Sequence, residues 1–250
     1  MSVNQWEGKI WDGIFEDFDQ TKGEGDVFQG SVWLEKQINH AQLAIDQTLS
    51  EETISKLAIT AEYALPVIAA AIANPKKKLR ILDFGGGLGS SFLPLKAMLP
   101  VNQPLDFFVV ENETMCEEGK ILFKNEEQLT FIDHLPAGKE FDIIHAGSSF
   151  HYVDDWIGQL QQFVKMSPQY IIFADLPAGD IKTFVTIQNY YGRKVPVRFW
   201  NIGEFIAAME NLGYELAMRS RNSSNYINSM DNFDPEHRLN YFSQLIFKRY

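Results

Sequence analysis

The segment Ile81-Leu82-Asp83-Phe84-Gly85-Gly86-Gly87-Leu88-Gly89-Ser90 constrains this chain more than any other. An apolar run ends in an acid and passes directly into a turn dominated by glycine. Glycine takes positive φ cheaply and leaves no Cβ between the main chain and a ligand. Placed between a strand and a helix, such a turn is where open α/β sheets seat nucleotide-like molecules. The plainer alternative is a tight turn that binds nothing. A nicotinamide or flavin fingerprint would read Gly-x-Gly-x-x-Gly. Started at Gly85, that frame puts Ser90 in the third glycine slot, and started at Gly87 it puts Phe92 there.

The rest of the chain supports a strand at this point. From Lys76 onward the pattern alternates between short apolar runs and amphipathic stretches. Strands are expected at 79–84, 107–110, 129–132, 141–146 and 170–174. Helices are expected at 92–99, 115–124, 154–163 and 201–212, with Asp154 as the cap of the third. Runs at 214–220 and 241–247 supply two closing strands. This alternation predicts a mainly parallel sheet covered by helices on both faces. Residues 1–75 read differently. Trp6, Trp11, Ile14, Phe15 and Phe18 form an aromatic entry segment, 23–30 reads as a loop, and 31–48 carries an apolar stripe at helical spacing. A second helix starts at Ser50-Glu51-Glu52, with a capping hydroxyl ahead of two acids, and is interrupted at Pro66. The expected organisation is an N-terminal helical appendage, 1–75, followed by an α/β domain, 76–250.

Composition narrows the partners. A net charge of −11 over 250 residues argues against a nucleic-acid surface. The single cysteine, Cys116, excludes an internal disulfide and a cysteine-rich zinc site. No apolar run is long enough to span a bilayer, and the N-terminus lacks the order of a signal peptide, so a cytoplasmic location is expected. The N-terminal helices are the expected surface for self-association.

The order Asp83-x-Gly85-x-Gly87-x-Gly89 resembles the first motif of class I S-adenosylmethionine (SAM) dependent methyltransferases. The resemblance implies a Rossmann-like sheet, mainly parallel, closed by an antiparallel pair, with SAM as cofactor. It extends from Lys78 to the C-terminus. Within it, Asp83 orients the glycine turn of Gly85, Gly86, Gly87 and Gly89. Glu111 ends the next strand, and a carboxylate can accept hydrogen bonds from both hydroxyls of a ribose. That placement suits any nucleoside cofactor, and the bland reading is a surface glutamate. Asp133 ends the third strand, where the family places an acceptor for the adenine amino group; equally it is a turn aspartate ahead of Leu135-Pro136. The segment 141–154 resembles the family's fourth-strand motif, with the loop at Gly147 contacting cofactor through its backbone.

Methyl transfer from SAM requires orientation above all, and a base where the acceptor is a hydroxyl. His151 is the candidate, in the loop after the fourth strand, with Asp154 near enough in sequence to orient it; the alternative is a packing or capping histidine. His145 belongs to a strand. The histidines have no zinc-type spacing, and Asp154, Asp155 and Asp175 read more simply as a helix start and a strand end than as magnesium ligands, so no metal is expected. The connecting segment 176–200 offers Tyr190, Tyr191 and Arg193 to an acceptor, together with Asp180, Lys194 and Arg198. Aromatic faces and cations there suit a sugar or an anionic small molecule, unless the rings are core and the cations solvated. Trp6 and Trp11 form either a lid or packing, and packing is favoured.

The pattern Trp11-Asp12-Gly13-Ile14-Phe15, Trp33-Leu34, the glycine turn and Ser148-Ser149-Phe150-His151-Tyr152-Val153-Asp154 are similar to a small bacterial methyltransferase family whose members accompany surface-polysaccharide genes. This implies a sugar hydroxyl as acceptor. Gly147-Ser148-Ser149-Phe150 stands where amide- and adenine-methylating enzymes carry Asn-Pro-Pro-Tyr, which argues against those reactions. The expected function is therefore SAM-dependent methylation of a small molecule. A SAM-binding partner subunit without catalysis and a nicotinamide-dependent oxidoreductase are the alternatives.

Overall fold

The computed structural model describes residues 9–24, 27–48, 63–222 and 230–250. Trp6, the expected helix start at Ser50 and the Asn- and Ser-rich stretch after Asn222 lie outside the described residues. In chain order the N-terminal part contributes β1 (Trp11–Phe15), α1 (Ser31–Thr48) and α2 (Ala64–Ile72). There follow β2 (Leu79–Phe84), α3 (Phe92–Met98), β3 (Leu105–Val110), α4 (Glu113–Leu122), β4 (Leu129–Ile132) and β5 (Ile143–Gly147). Next come α5 (Trp156–Lys165), β6 (Tyr170–Leu176), β7 (Ala178–Gly179), β8 (Phe184–Tyr190) and β9 (Arg193–Asn201). The described chain closes with α6 (Ile202–Asn211), β10 (Tyr214–Asn222) and β11 (Phe242–Arg249).

Seven of these strands form one sheet, in the order β4, β3, β2, β5, β6, β11, β10. The first five are parallel, and β11 runs antiparallel to both β6 and β10. This is the mainly parallel sheet that the alternation predicts, with the antiparallel closing pair that the family resemblance implies. Successive side chains on a strand point to opposite faces, and here both faces are buried. Leu82, Phe108, Ile144 and Phe173 pack with Phe163 of α5 and Phe205 of α6. Ile81, Phe107, Ile143 and Ile172 pack on the other side with Leu65 of α2, Leu95 of α3 and Cys116 of α4. Two-sided burial explains why the strands read as continuous apolar runs.

Local chemistry sets the helix ends. The Asn112 side chain accepts the Met115 N–H at the start of α4, 3.1 Å away. Asn201 accepts from Gly203 and Glu204 at the start of α6. For α5 the cap is Asp155, whose Oδ1 accepts from Gly158 N–H at 2.9 Å, and not Asp154. Asp154 sits one residue too early and instead meets Arg198 at 3.4 Å. Pro66 falls in the first turn of α2, where a missing N–H does no harm.

The larger departure concerns 176–200, expected as a connection. It is folded as β7, β8 and β9, which join β1 in a second, four-stranded sheet of order β1, β8, β9, β7. β9 alternates buried Val195, Val197 and Phe199 with the more exposed Lys194, Pro196 and Arg198, while β8 is buried from Phe184 to Gln188. Its hairpin turns at Tyr191 and Gly192, with φ of 48° and 79°, the paired positive values a two-residue turn requires. β1 pairs antiparallel with β8, Trp11 opposite Gln188. Trp11 is 1% exposed and meets Phe199 of β9 edge-on at 5.1 Å, so its ring is packing. Part of the N-terminal segment is thus hydrogen-bonded to a hairpin far along the chain. Among the described residues no helix is long and apolar enough to cross a membrane.

Candidate active site

β2 lies at the point where the sheet's strand order turns, with β3 on one side and β5 on the other. Open α/β sheets bind ligands beyond the carboxyl ends of the strands at such a point. The glycine turn occupies it. Gly85 and Gly87 have φ of +65° and +56°. A Cβ on Gly85 would collide with the Ser149 side chain, and one on Gly86 with the Asp83 carboxylate. The turn is held from beneath by Asp83, which is 1% exposed. One carboxylate oxygen receives the Ser91 hydroxyl, and the other pairs with His145 Nδ1 at 2.7 Å. Asp83 and His145 stand side by side in the register of β2 and β5. From the β5 side, Ser149 Oγ donates to the Phe84 carbonyl at 2.6 Å and fastens the following loop to the turn.

Glu111 reaches the same space from the end of β3. Its Oε1 accepts the Gly87 N–H at 3.2 Å and its Oε2 the Asn112 N–H at 3.0 Å. Burial raises its pKa above the ordinary value, an effect that the Asp83 charge reinforces and the two backbone N–H groups oppose. Asn112 also donates through Nδ2 to the Phe28 carbonyl at 3.3 Å. The strand end that carries Glu111 is thereby tied to the N-terminal segment.

Between these parts lies a cavity of about 740 Å³, within the usual range for a ligand pocket. Its floor is the carboxyl edge of the main sheet: Asp83 to Gly87, Glu111, Gly147 to Ser149 and Asp175. Its opposite wall is aromatic. Phe28 stands 4.8 Å from Tyr152 and 5.6 Å from Trp33, and Trp33 is 5.5 Å from Tyr190. All four rings line the cavity. Gln188 of β8 lines it too and accepts the Tyr152 hydroxyl at 2.8 Å. Ser148 and Asp175, at the ends of adjacent strands, both have left-handed backbones, φ 52° and 53°, and Ser148 Oγ donates to Asp175 Oδ2 at 2.8 Å. Such conformations cost about 1–3 kcal/mol each in a residue other than glycine and gather at functional sites.

His151 lines the cavity and is 6% exposed. Its Nδ1 is sealed from solvent without a hydrogen-bond partner, and burial pushes its pKa down to about 3. The expected orienting contact from Asp154 is not formed, because Asp154 faces Arg198. Of the residues singled out in the sequence, Asp83, Gly85, Gly86, Gly87, Glu111, Gly147, His151 and Tyr190 line the cavity. Four do not. Gly89 packs beneath the turn against Leu129 and Phe131. Asp133 is exposed and pairs with His134 at 2.6 Å, a hydrogen bond that lowers its pKa. Tyr191 rests on Trp33 with Lys36 over its ring. Arg193 pairs with Glu24 at 2.9 Å. The sequence reading missed Ser91, His145 as the partner of Asp83, and the wall residues Phe28, Trp33, Tyr152 and Gln188. Ser91 follows the glycine turn, His145 meets Asp83 through the register of β2 and β5, and the wall residues come together by packing of the N-terminal segment, the loop after β5 and the hairpin.

Residues 57–218 match a family profile described as a methyltransferase domain. Among curated proteins no sequence matches the chain. Solved structures share the architecture at low identity. A chain from the complex between the Haloferax volcanii Trm112 methyltransferase activator and a methyltransferase aligns with a TM-score of 0.56 at 12% identity, covering 90% of this chain and 96% of that one. A SAM-dependent methyltransferase from Mesorhizobium loti gives 0.51 at 16%, covering 74% and 98%. A Burkholderia thailandensis 1,6-didemethyltoxoflavin-N1-methyltransferase gives 0.51 at 12%, covering 86% and 88%. At these identities the likeness is one of fold.

Proposed function

The chain belongs to the methyltransferase-domain family, and on that premise we propose that it transfers the methyl group of SAM to a hydroxyl of a small molecule, a sugar or polysaccharide precursor. The observation that carries this reading is the meeting of Glu111 with the bare turn at Gly87, 3.2 Å apart, on one cavity wall. A nucleoside seated there would lay its ribose against the carboxylate and its chain along main chain free of Cβ atoms. When bound, SAM supplies a methyl group already activated by its sulfonium. The protein's own part is binding, orientation and proton removal. Gly85 to Gly87 and Gly147 offer backbone to the cofactor, Glu111 accepts from the ribose hydroxyls, and Asp83 keeps the turn in shape through Ser91 and His145. Asp133 lies outside the cavity lining and takes no part.

The aromatic wall and Gln188 hold the acceptor, stacking on its apolar ring face and excluding water. Bound SAM would supply the methyl group and keep the electron pair of its carbon–sulfur bond as it leaves as S-adenosylhomocysteine, and His151, whose imidazole lines the cavity, would take up the proton of the acceptor hydroxyl. Burial lowers the pKa of His151 to about 3, so its imidazole is uncharged at neutral pH and a weak base, one that takes the proton only once methyl transfer makes the hydroxyl strongly acidic. A thermal-shift series with S-adenosylhomocysteine (SAH), SAM and NAD tests the reading. A ligand at 100 times its Kd adds about 2.7 kcal/mol of stability, a rise of about 5–10 °C for a chain of this size. Rises with SAH and SAM but not NAD are expected, and a rise with NAD alone overturns the proposal.

A further inference from the structure

The charges around the cavity define the acceptor further. Asp83, Glu111 and Asp175 line it, and among the described residues no lysine or arginine does. Of the hairpin cations that the sequence offers to an anionic acceptor, Arg193 pairs with Glu24 and Arg198 with Asp154, and none of Arg193, Lys194 and Arg198 lines the cavity. Phosphate is recognised by arginine, lysine or clustered backbone N–H groups. The Gly87 N–H of the turn is already donated to Glu111. A phosphate brought into this space would meet like charge with no lysine or arginine among the described lining residues, an arrangement that selects against it. The four-ring wall and the Tyr152–Gln188 hydrogen bond are instead suited to a neutral ring bearing hydroxyls.

We infer that the acceptor enters as an uncharged glycoside already separated from its nucleotide carrier, not as a sugar phosphate or a nucleoside-diphosphate sugar. The inference rests on the methyl-transfer reading above. It also fixes a place in a reaction sequence. The reaction that supplies the substrate is a glycosyl transfer, in which the bond from the anomeric carbon to a phosphate oxygen breaks, a bond to the oxygen of an acceptor hydroxyl forms as that hydroxyl loses its proton, and the nucleotide departs with its negative charge. Methylation follows that step.

The test uses the full chain saturated with SAH, whose binding is first measured by calorimetry. Loss of SAH binding would defeat the methyl-transfer reading itself, and its retention leaves the acceptor question to be decided alone. Methyl glycosides of glucose, galactose, rhamnose and fucose are then titrated beside the corresponding sugar 1-phosphates. Binding is read from tryptophan fluorescence, since Trp11 and Trp33 line the cavity. At least one methyl glycoside is expected to bind 10-fold or more tightly than its phosphate counterpart. Asp175→Asn, which keeps the side chain's shape, is expected to shrink that ratio by weakening the repulsion. Equal or tighter binding of the phosphates throughout, or no binding by any member of the series, overturns the inference.

Discussion

Glu111 is an acid held where its ionised form is disfavoured by burial and tolerated because two backbone N–H groups point at it. A ribose would supply further donors to the same oxygens. Glu111→Ala should therefore lower SAH affinity about 10–100-fold, the loss of one or two charge-assisted hydrogen bonds, while the melting temperature of the ligand-free protein does not fall. Calorimetry and a thermal melt on the same sample check both halves. His151 makes a prediction of opposite character. Its pKa is near 6.5 in an unfolded chain and is pushed down to about 3 by burial in the folded one. Between those values the unfolded chain binds the extra proton, so stability rises with pH through this window and is level above it. The slope is about 1.4 kcal/mol per pH unit. Denaturant melts from pH 6.5 to pH 4.5 should show His151→Asn losing less stability than the parent chain, with the gap widening at that rate. A parallel decline would mean that His151 is not what resists the proton. Asp83 and Glu111 were legible because a turn and the strand after it lie close in sequence. The bond from Asp83 to His145 was not, since nothing in either residue's neighbourhood states that β2 and β5 are adjacent.

Strands buried on both faces were the easiest elements to read. The run through β3 is apolar on both sides of the pleat, and no amphipathic helix imitates it. β8 carries Thr186 and Gln188 among its buried residues, and it is paired on one side with β9 and on the other with β1, which precedes it by most of the chain. Asp154 and Asp155 show the limit of cap reading, where two adjacent acids compete and only the backbone decides. The second sheet has its own core, centred on Trp11, Phe184, Val197 and Phe199. Truncating the Trp11 ring leaves a void between β1 and β9, so Trp11→Ala should cost about 3–5 kcal/mol, seen as a shifted denaturation midpoint. A loss under 1 kcal/mol would show that β1 contributes little to that core.

At the scale of the molecule, the cavity has its floor on the parallel sheet and its wall on the N-terminal segment and the hairpin. Fold class was legible because alternating strands and helices admit few architectures. The site's second half was not, because it is assembled by contacts between residues 28–33 and 152–190, far apart in the sequence. The Asn112 side chain joins the halves by capping α4 and donating to the Phe28 carbonyl. SAH binding should accordingly slow amide hydrogen exchange in two places, at residues 85–87 and also at 27–33. Protection confined to the glycine turn would show that the halves respond separately.

The aromatic wall is borne by side chains that the cofactor floor does not need for its own folding: Tyr190 rises from a hairpin tip and Trp33 from an outer helix. A lineage could therefore exchange the tip of that hairpin and acquire a new acceptor while inheriting its methyl donor intact, much as a tool keeps its handle and changes its bit.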